Sequence, residues 1–213
     1  MNKMHIADGV LSLPVVGAAA AVAGGGILYA VKKTKAEEVP LISLLSGAFF
    51  VFALISIPIG PTTVHPLLAG LLGIILGMQA FIAVIIGLVL HVLLFQHGGL
   101  TTLGVNLILV VIPALMAGKL FYSMKRLPVF ARAALAGGLA VVSCVLLLII
   151  LLLLSDPVYG EGTFSTINIL AIAYMPLAAV EALLTGFAVN FLYKTRPELL
   201  QKDRMKELSE NGG

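Results

Sequence analysis

Charged residues are scarce in this sequence. Asp, Glu, Lys and Arg make up 11% of its 213 residues, whereas hydrophobic residues make up 60%. Soluble domains contain about 25% charged and about 45–50% apolar residues. Residues 39–118 contain none of the four charged residue types, and neither do residues 133–155. Because a bilayer crossing needs roughly 20 apolar residues, the scarcity of charge excludes a soluble domain and indicates an integral membrane protein.

Other absences exclude whole classes of function. Cys144 is the one cysteine, so the chain cannot form an intrachain disulfide, and its apolar neighbours indicate a small packing residue. The sequence contains no Gly-x-x-x-x-Gly-Lys-Ser/Thr loop for ATP phosphates and no His-Glu-x-x-His zinc-protease motif. We therefore expect neither an ATPase nor such a protease. The formal charge of +3 comes from Lys and Arg in short loops, where basic residues set membrane orientation, so we do not interpret it as a sign of nucleic-acid binding.

The apolar residues form seven hydrophobic segments, and the predicted fold is an all-α bundle of about seven transmembrane helices. The segments are 12–31, 40–58, 65–78, 80–96, 104–124, 132–154 and 167–193. The third is short, since a helix of its length rises only about 20 Å, so it is either a crossing where the protein is thin or a re-entrant piece. Pro66 is expected in its first turn. We predict one membrane domain over residues 1–213, with a polar tail from about residue 195.

Loop charges favour seven crossings over six. Basic residues follow the first, fifth and seventh segments, whereas the link after the sixth carries Asp156 and Glu161 and no base. Basic links belong on the cytoplasmic side. Seven crossings place every basic link inside and the acidic link outside, whereas six would move the two later basic links outside. Seven crossings also predict an N-terminus outside and a C-terminus inside.

Small residues recur at helical spacing in two segments. Such residues allow the backbones of membrane helices to approach closely. We interpret them mainly as internal packing, with a docking face for a partner helix as the alternative. They are Gly70, Gly73 and Gly77, then Ala133, Gly137 and Gly138.

The predicted topology places three of the four histidines at the outer face. These are His5, His65 and His97, while His91 lies six residues deeper on the helix that ends near His97. Polar groups near lipid usually face the bundle interior, and imidazole suits zinc, copper, iron and nickel. Asp8 is the one carboxylate near these histidines in the sequence. A single histidine at a membrane interface is more often an ordinary hydrogen-bonded residue, so this convergence favours a metal site without establishing one.

Three sequence motifs carry a resemblance to a known family. They are Met-His-Ile-Ala-Asp-Gly-Val-Leu-Ser at 4–12, Val-His-Pro-Leu-Leu-Ala-Gly-Leu-Leu-Gly at 64–73, and Phe-Gln-His-Gly-Gly-Leu-Thr-Thr-Leu-Gly-Val-Asn at 95–106. In this order they resemble the NikM/CbiM family, the substrate-binding components of energy-coupling-factor transporters for nickel and cobalt. The resemblance extends to about Tyr193 and implies seven helices with an outside N-terminus.

The resemblance also implies a metal site built from the chain terminus. The implied ligands are the Met4 amine, the backbone nitrogen and imidazole of His5, and the imidazole of His65. Four nitrogens in a plane suit Ni(II) or Cu(II). His97 and Asn106 are the implied residues that orient these ligands. His97 favours nickel, because cobalt relatives are expected to carry aspartate there.

This sequence departs from the family pattern at two places. Residues 1–3 precede Met4, and an amide nitrogen at Met4 could not begin the chelate. Either translation starts at Met4, which is our hypothesis, or residues 1–3 are removed, or the first motif works differently here. His91 stands where glutamine is expected in many relatives. His91 is either a further polar partner below the site or a buried hydrogen-bonding residue, and we favour the second. Asp8 is a further candidate neighbour of the site.

Glu181 is an acid in the middle of the seventh segment, and such residues are functional candidates by default. Three roles are open: a proton or ion relay, an ion pair with Lys119, or contact with a partner subunit.

The predicted function is capture of Ni(II) or Co(II), as transported substrate, by a multi-pass subunit of a prokaryotic plasma membrane, with no organic cofactor and no catalysis of its own. The resemblance implies three kinds of partner: a transmembrane coupling subunit, paired ATPases and a small accessory membrane protein. Three alternatives are a proton-driven metal transporter using Glu181 and His91, an intramembrane metalloenzyme, and a scaffold without ligand.

Overall fold

The computed structural model describes residues 8–55, 57–59, 62–96, 98–161 and 166–200. Within these ranges the chain forms seven α-helices and one small hairpin, which confirms the prediction of a helical membrane protein. The helices are α1 (Leu13–Lys33), α2 (Val39–Phe52), α3 (Ala69–Leu76), α4 (Ala80–Phe95), α5 (Leu103–Ser123), α6 (Val129–Ser155) and α7 (Thr166–Thr195). Each one overlaps one predicted hydrophobic segment.

Five helical stretches are long and apolar enough to cross a membrane in the described part of the chain. They are Leu13–Lys33, Ala69–Phe95, Leu103–Ser123, Val129–Ser155 and Ile172–Thr195. The second of these stretches includes both α3 and α4. Helix α2 is not among the five, because its 14 residues are too few to cross a membrane. The count of seven crossings and the orientation of the termini therefore stay predictions.

The structure corrects the prediction between residues 53 and 68. The second segment was expected to be helical to residue 58, but α2 ends at Phe52 and a hairpin follows, with β1 (Ile57–Ile59) antiparallel to β2 (Thr62–Val64). β-Branched residues favour extended backbone. Proline also breaks a helix interior and keeps the residue before it extended. Because Pro66 keeps His65 extended, α3 does not begin at residue 65. The helix begins at Ala69, so Pro66 precedes it instead of lying in its first turn.

Hydrogen bonds between links define the two ends of the bundle. At one end, the Ser12 amide donates to Ser155 Oγ at 3.2 Å, and the Tyr159 hydroxyl donates to the Val10 carbonyl at 2.9 Å. We call this the motif end, comprising residues 8–12, 98–102 and 155–161. At the other end, Gln79 Nε2 donates to Glu38 Oε2 at 2.9 Å. This basic end comprises links 33–39, 77–80 and 123–129.

Glycines set the contact of α3 with its neighbours. A Cβ at Gly73 would lie 1.7 Å from the Ala114 carbonyl oxygen on α5, and one at Gly70 would lie 2.6 Å from the Gly137 Cα on α6. These glycines therefore pack internally, as predicted. Gly77 differs, because nothing lies near its Cβ position and its φ of +55° breaks the chain direction between α3 and α4.

Replacing Gly73 with alanine is expected to destabilise the fold, because the new methyl group meets backbone that cannot rotate away. Overpacking of this kind costs about 1–3 kcal/mol. Unfolding in detergent can be followed with a thiol-reactive fluorescent dye, since Cys144 is buried and reacts only when the chain opens. The Gly73→Ala protein should label at a lower temperature than the wild type.

Gly47→Ala is the matched control. Gly47 lies within α2 with nothing within 4 Å of its Cβ position, and alanine is favoured over glycine in a helix by about 1 kcal/mol. This variant should be as stable as the wild type or more so. Equal labelling temperatures for Gly73→Ala and the wild type would contradict the close α3–α5 contact.

Candidate metal site

Asp8 joins the first motif to the third. Its carboxylate accepts hydrogen bonds from the Leu100 amide at 3.2 Å and the Thr101 amide at 3.0 Å, and a further one from the Thr101 hydroxyl. The Thr101 hydroxyl is the main cause that lowers the pKa of Asp8 below its ordinary value, with the backbone amides adding to it. The segment just before α1 and the α4–α5 link are thus held together at the motif end.

Glycines shape the link that Asp8 contacts. Gly98 has a φ of +81°, which favours glycine. A Cβ at Gly99 would lie 1.9 Å from Asp8 Oδ1, so a side chain at this position would displace the carboxylate. The buried Thr102 hydroxyl then donates to the Gly99 carbonyl at 3.2 Å, just before α5 begins. The α4–α5 link within motif three therefore holds Asp8 of motif one.

His65 is a buried side chain in the non-helical segment between β2 and α3, with 2% of its surface exposed. Its Nδ1 lies 3.2 Å from the Ile55 carbonyl oxygen. A carbonyl can only accept, so Nδ1 donates the proton, and the neutral ring then carries its lone pair on Nε2. A carbonyl on one ring nitrogen commonly orients a histidine that binds metal through the other. The second motif therefore presents a histidine in a tautomer suited to metal ligation.

Glu181 holds the segment that follows His65. Its Oε1 accepts hydrogen bonds from the Leu67 amide and from the Leu68 amide, the latter at 2.8 Å. Leu68 has a φ of +51°, a left-handed conformation that costs a branched residue about 1–2 kcal/mol. Glu181 is fully buried and forms no ion pair with Lys119, which is exposed. Of the three roles considered from the sequence, the ion pair with Lys119 is wrong.

His91 has a different setting from His65. It lies within α4 with 1% of its surface exposed, and its Nε2 donates to the Phe50 carbonyl on α2 at 2.9 Å. The rings of Phe49 and Phe50 lie 6.3 and 5.0 Å from its ring. This geometry ties α4 to α2 and favours the interpretation of His91 as a buried hydrogen-bonding residue.

The remaining predicted residues fall into two groups. Asn106 is described, and it is buried in the first turn of α5, next to motif three. Met4, His5 and His97 lie outside the described residues. In the described ranges, no three His, Cys, Asp or Glu side chains converge on a metal position. The site implied by the resemblance would not produce such a cluster there, since it draws on the terminus and on backbone nitrogen.

Sequence reasoning missed the groups that hold the motifs in place. The Thr101 hydroxyl had a signal, because it is a polar side chain beside two glycines within motif three. The Ile55 carbonyl and the amides of Leu67 and Leu68 had none, since every residue carries such groups. Only the folded chain selects which of them is used.

Comparisons with known families, proteins and structures all point to proteins of metal transport. The family described as "Cobalt uptake substrate-specific transmembrane region" matches residues 5–199. A protein of Haemophilus influenzae named for metal transport is 31% identical, over 93% of this chain and 98% of its own length. A fused Archaeoglobus fulgidus protein named NikMN, for nickel transport, is 26% identical, over 93% of this chain and 68% of its own length.

Two further similarities concern a larger protein and a solved structure. A fused protein of Methanocorpusculum labreanum named CbiMQ, for cobalt transport, is 25% identical over 92% of this chain, which spans 36% of that longer protein. A crystal structure described as a transition metal transporter superposes with a TM-score of 0.76 at 26% identity, covering 90% of this chain and 93% of the other.

Replacing Asp8 with alanine is expected to loosen the link between motifs one and three. The amides of Leu100 and Thr101 lose their acceptor, so their hydrogen exchange should become faster. The lowered pKa fixes the pH range of the effect. The carboxylate contributes fully above its ordinary pKa of 3.8, and its contribution is lost as the pH falls through the lower folded value.

Asp156→Ala serves as the control for this exchange experiment. Asp156 lies at the same end of the bundle, but its carboxylate accepts from the Val158 amide, two residues along the chain, at 3.0 Å. Exchange at Leu100 and Thr101 should be unchanged in that protein. Wild-type exchange rates in Asp8→Ala would contradict the proposed attachment.

Proposed function

Because the chain belongs to the family of cobalt uptake substrate-specific transmembrane regions, we propose that it captures Ni(II), with Co(II) as the close alternative, at the outer face of the membrane. Members of this family are components of metal transport and not known enzymes. The protein is accordingly a multi-pass protein of the plasma membrane. The observation that carries the proposal is His65, a buried imidazole oriented for ligation in a non-helical segment of the bundle.

The proposed ligands are the Met4 amine, the His5 backbone nitrogen and imidazole, and His65 Nε2. An amine followed by histidine closes a five-membered and then a six-membered chelate ring, and four nitrogens in a plane suit Ni(II). The hydrogen bonds of Asp8 support this arrangement, because they tether the chain three residues after His5. Asn106 and His97 are proposed to orient the ligands.

The ligand set requires a free amine at Met4, so we propose that the mature protein starts there. Lys3 would otherwise place a positive charge beside a site that binds a cation. The proposed choice of nickel over cobalt depends on His97 within motif three, as the resemblance implies.

The chain is proposed to act with partners, as the substrate-binding subunit of an energy-coupling-factor transporter. It has no ATP-binding loop of its own, so paired ATPases and a transmembrane coupling subunit would supply the energy. The fused relatives named CbiMQ and NikMN support this, since in each a region similar to this chain is continuous with a further component. A small accessory membrane subunit is proposed for the same reason.

His65→Ala is expected to abolish nickel binding by the purified protein, because one of four equatorial ligands is lost. The loss should exceed the roughly 10–100-fold that removal of a residue behind a ligand costs. Calorimetric titration of the protein in detergent measures it. The control is His91→Gln, which retains a hydrogen-bonding side chain on α4 and should bind nickel as the wild type does. Equal losses in the two variants would contradict the assignment of His65.

The terminal chelate predicts a defined mass and a pH dependence. Native mass spectrometry of the protein from nickel-supplemented cells should give a chain starting at Met4 with one nickel ion, and N-terminal sequencing of the same sample checks the start. Binding displaces protons from the amine and the amide, so affinity should fall from pH 8 to pH 6. A metal-free chain starting at Met1 would overturn the ligand set.

A further inference from the structure

We propose that Glu181 is a positioning residue for His65, acting as the hydrogen-bond acceptor that fixes the backbone after the histidine. The inference rests on the proposed function, because it assigns to Glu181 a role in the metal affinity of His65. This positioning role is proposed in place of the relay and ion-pair roles considered from the sequence, because α7 places Glu181 against the backbone amides before α3.

The connection from Glu181 to His65 is short. Oε1 of Glu181 accepts from the consecutive amides of Leu67 and Leu68, and Leu67 is separated from His65 by Pro66 alone. Proline fixes its own φ near −65° and restricts the residue before it. Few free torsions therefore lie between the anchored amides and the imidazole, so the carboxyl group determines where the histidine backbone sits.

These amides have no helical acceptor, because they precede α3. Leu67 and Leu68 are both buried, with 2% and 4% of their surfaces exposed, so water cannot replace Glu181 without opening the bundle. Leu68 is in addition held at a φ of +51°. Such a conformation persists only where the surroundings determine it, and it is found preferentially at ligand sites.

Close helix packing keeps Glu181 at the correct depth. One turn further along α7, Thr185 lies against both Gly70 and Gly137, so that a Cβ on either glycine would approach the Thr185 Oγ1 within 3 Å. The crossing of α3, α6 and α7 thus holds the carboxyl group opposite the start of α3. A glutamine would place the same carbonyl oxygen there, whereas leucine would fill the volume without an acceptor.

The test compares Glu181→Leu, Glu181→Gln and Thr185→Val in the full chain. Thr185→Val is the matched control, because it alters a buried α7 side chain at the same crossing and leaves the amide acceptor in place. Two quantities are measured for each protein: nickel affinity with its d–d absorption band, and hydrogen exchange of the Leu67 and Leu68 amides without nickel. The unfolding temperature is recorded alongside to confirm that each variant is folded.

Glu181→Leu should lower nickel affinity by roughly 10–100-fold, as expected for loss of a group that orients a ligand. Its d–d absorption band should shift, and hydrogen exchange of the Leu67 and Leu68 amides should become faster. Glu181→Gln and Thr185→Val should keep wild-type values within a few-fold. Wild-type affinity in Glu181→Leu, or equal losses in the leucine and glutamine variants, would overturn the positioning role. If the wild type bound no nickel, the proposed function would fail, while the amide exchange would still report whether Glu181 holds the segment.

Discussion

Backbone amides and carbonyls inside a bilayer core must find their hydrogen-bonding partners within the protein. Most of this chain meets that requirement by forming helices. The segment between β2 and α3 does not, and it contains His65, the residue on which the proposed metal site depends. The two hydrogen bonds from Leu67 and Leu68 to Glu181 allow irregular backbone to persist there. Glu181, an acid of a kind that is costly in lipid, thereby gives these two amides an acceptor that the start of a regular helix does not supply.

The close helix crossings follow from the same requirement. A glutamate side chain is short, so the backbone of α7 must come near the start of α3 before its carboxyl group can reach the amides. Gly70 and Gly137 leave the space for this approach. Small residues at membrane helix interfaces are usually explained by packing alone. In this bundle these glycines also keep the α7 backbone close enough to α3 for the Glu181 carboxyl group to reach the Leu67 and Leu68 amides.

Much of the fold was predictable, because it depends on quantities that a sequence displays. Seven hydrophobic segments and the scarcity of charge are linear features, and the observed helices follow them closely. The exceptions lie where a tertiary contact outweighs hydrophobicity. Leu67 and Leu68 are as apolar as their helical neighbours, but Pro66 restricts the backbone before it, and Glu181, more than 100 residues away, supplies the acceptor for their amides. No local pattern in the sequence encodes that contact. The candidate site was predictable only as three motifs, and the structure adds the hydrogen-bond partners of Asp8 and His65.

His65 and His91 illustrate why burial does not distinguish a ligand from a structural residue. Both are almost fully buried, and each donates one ring proton to a backbone carbonyl, His65 to Ile55 just after α2 and His91 to Phe50 within α2. They use different nitrogens: His65 donates from Nδ1 and carries its lone pair on Nε2, at the tip of the ring, whereas His91 donates from Nε2 and carries its lone pair on Nδ1, beside its own helix backbone. Metal can approach the tip of a ring more readily than the side nearest the main chain. The choice of carbonyl partner, Ile55 after α2 for His65 and Phe50 within α2 for His91, is the observation behind the different roles proposed for the two histidines.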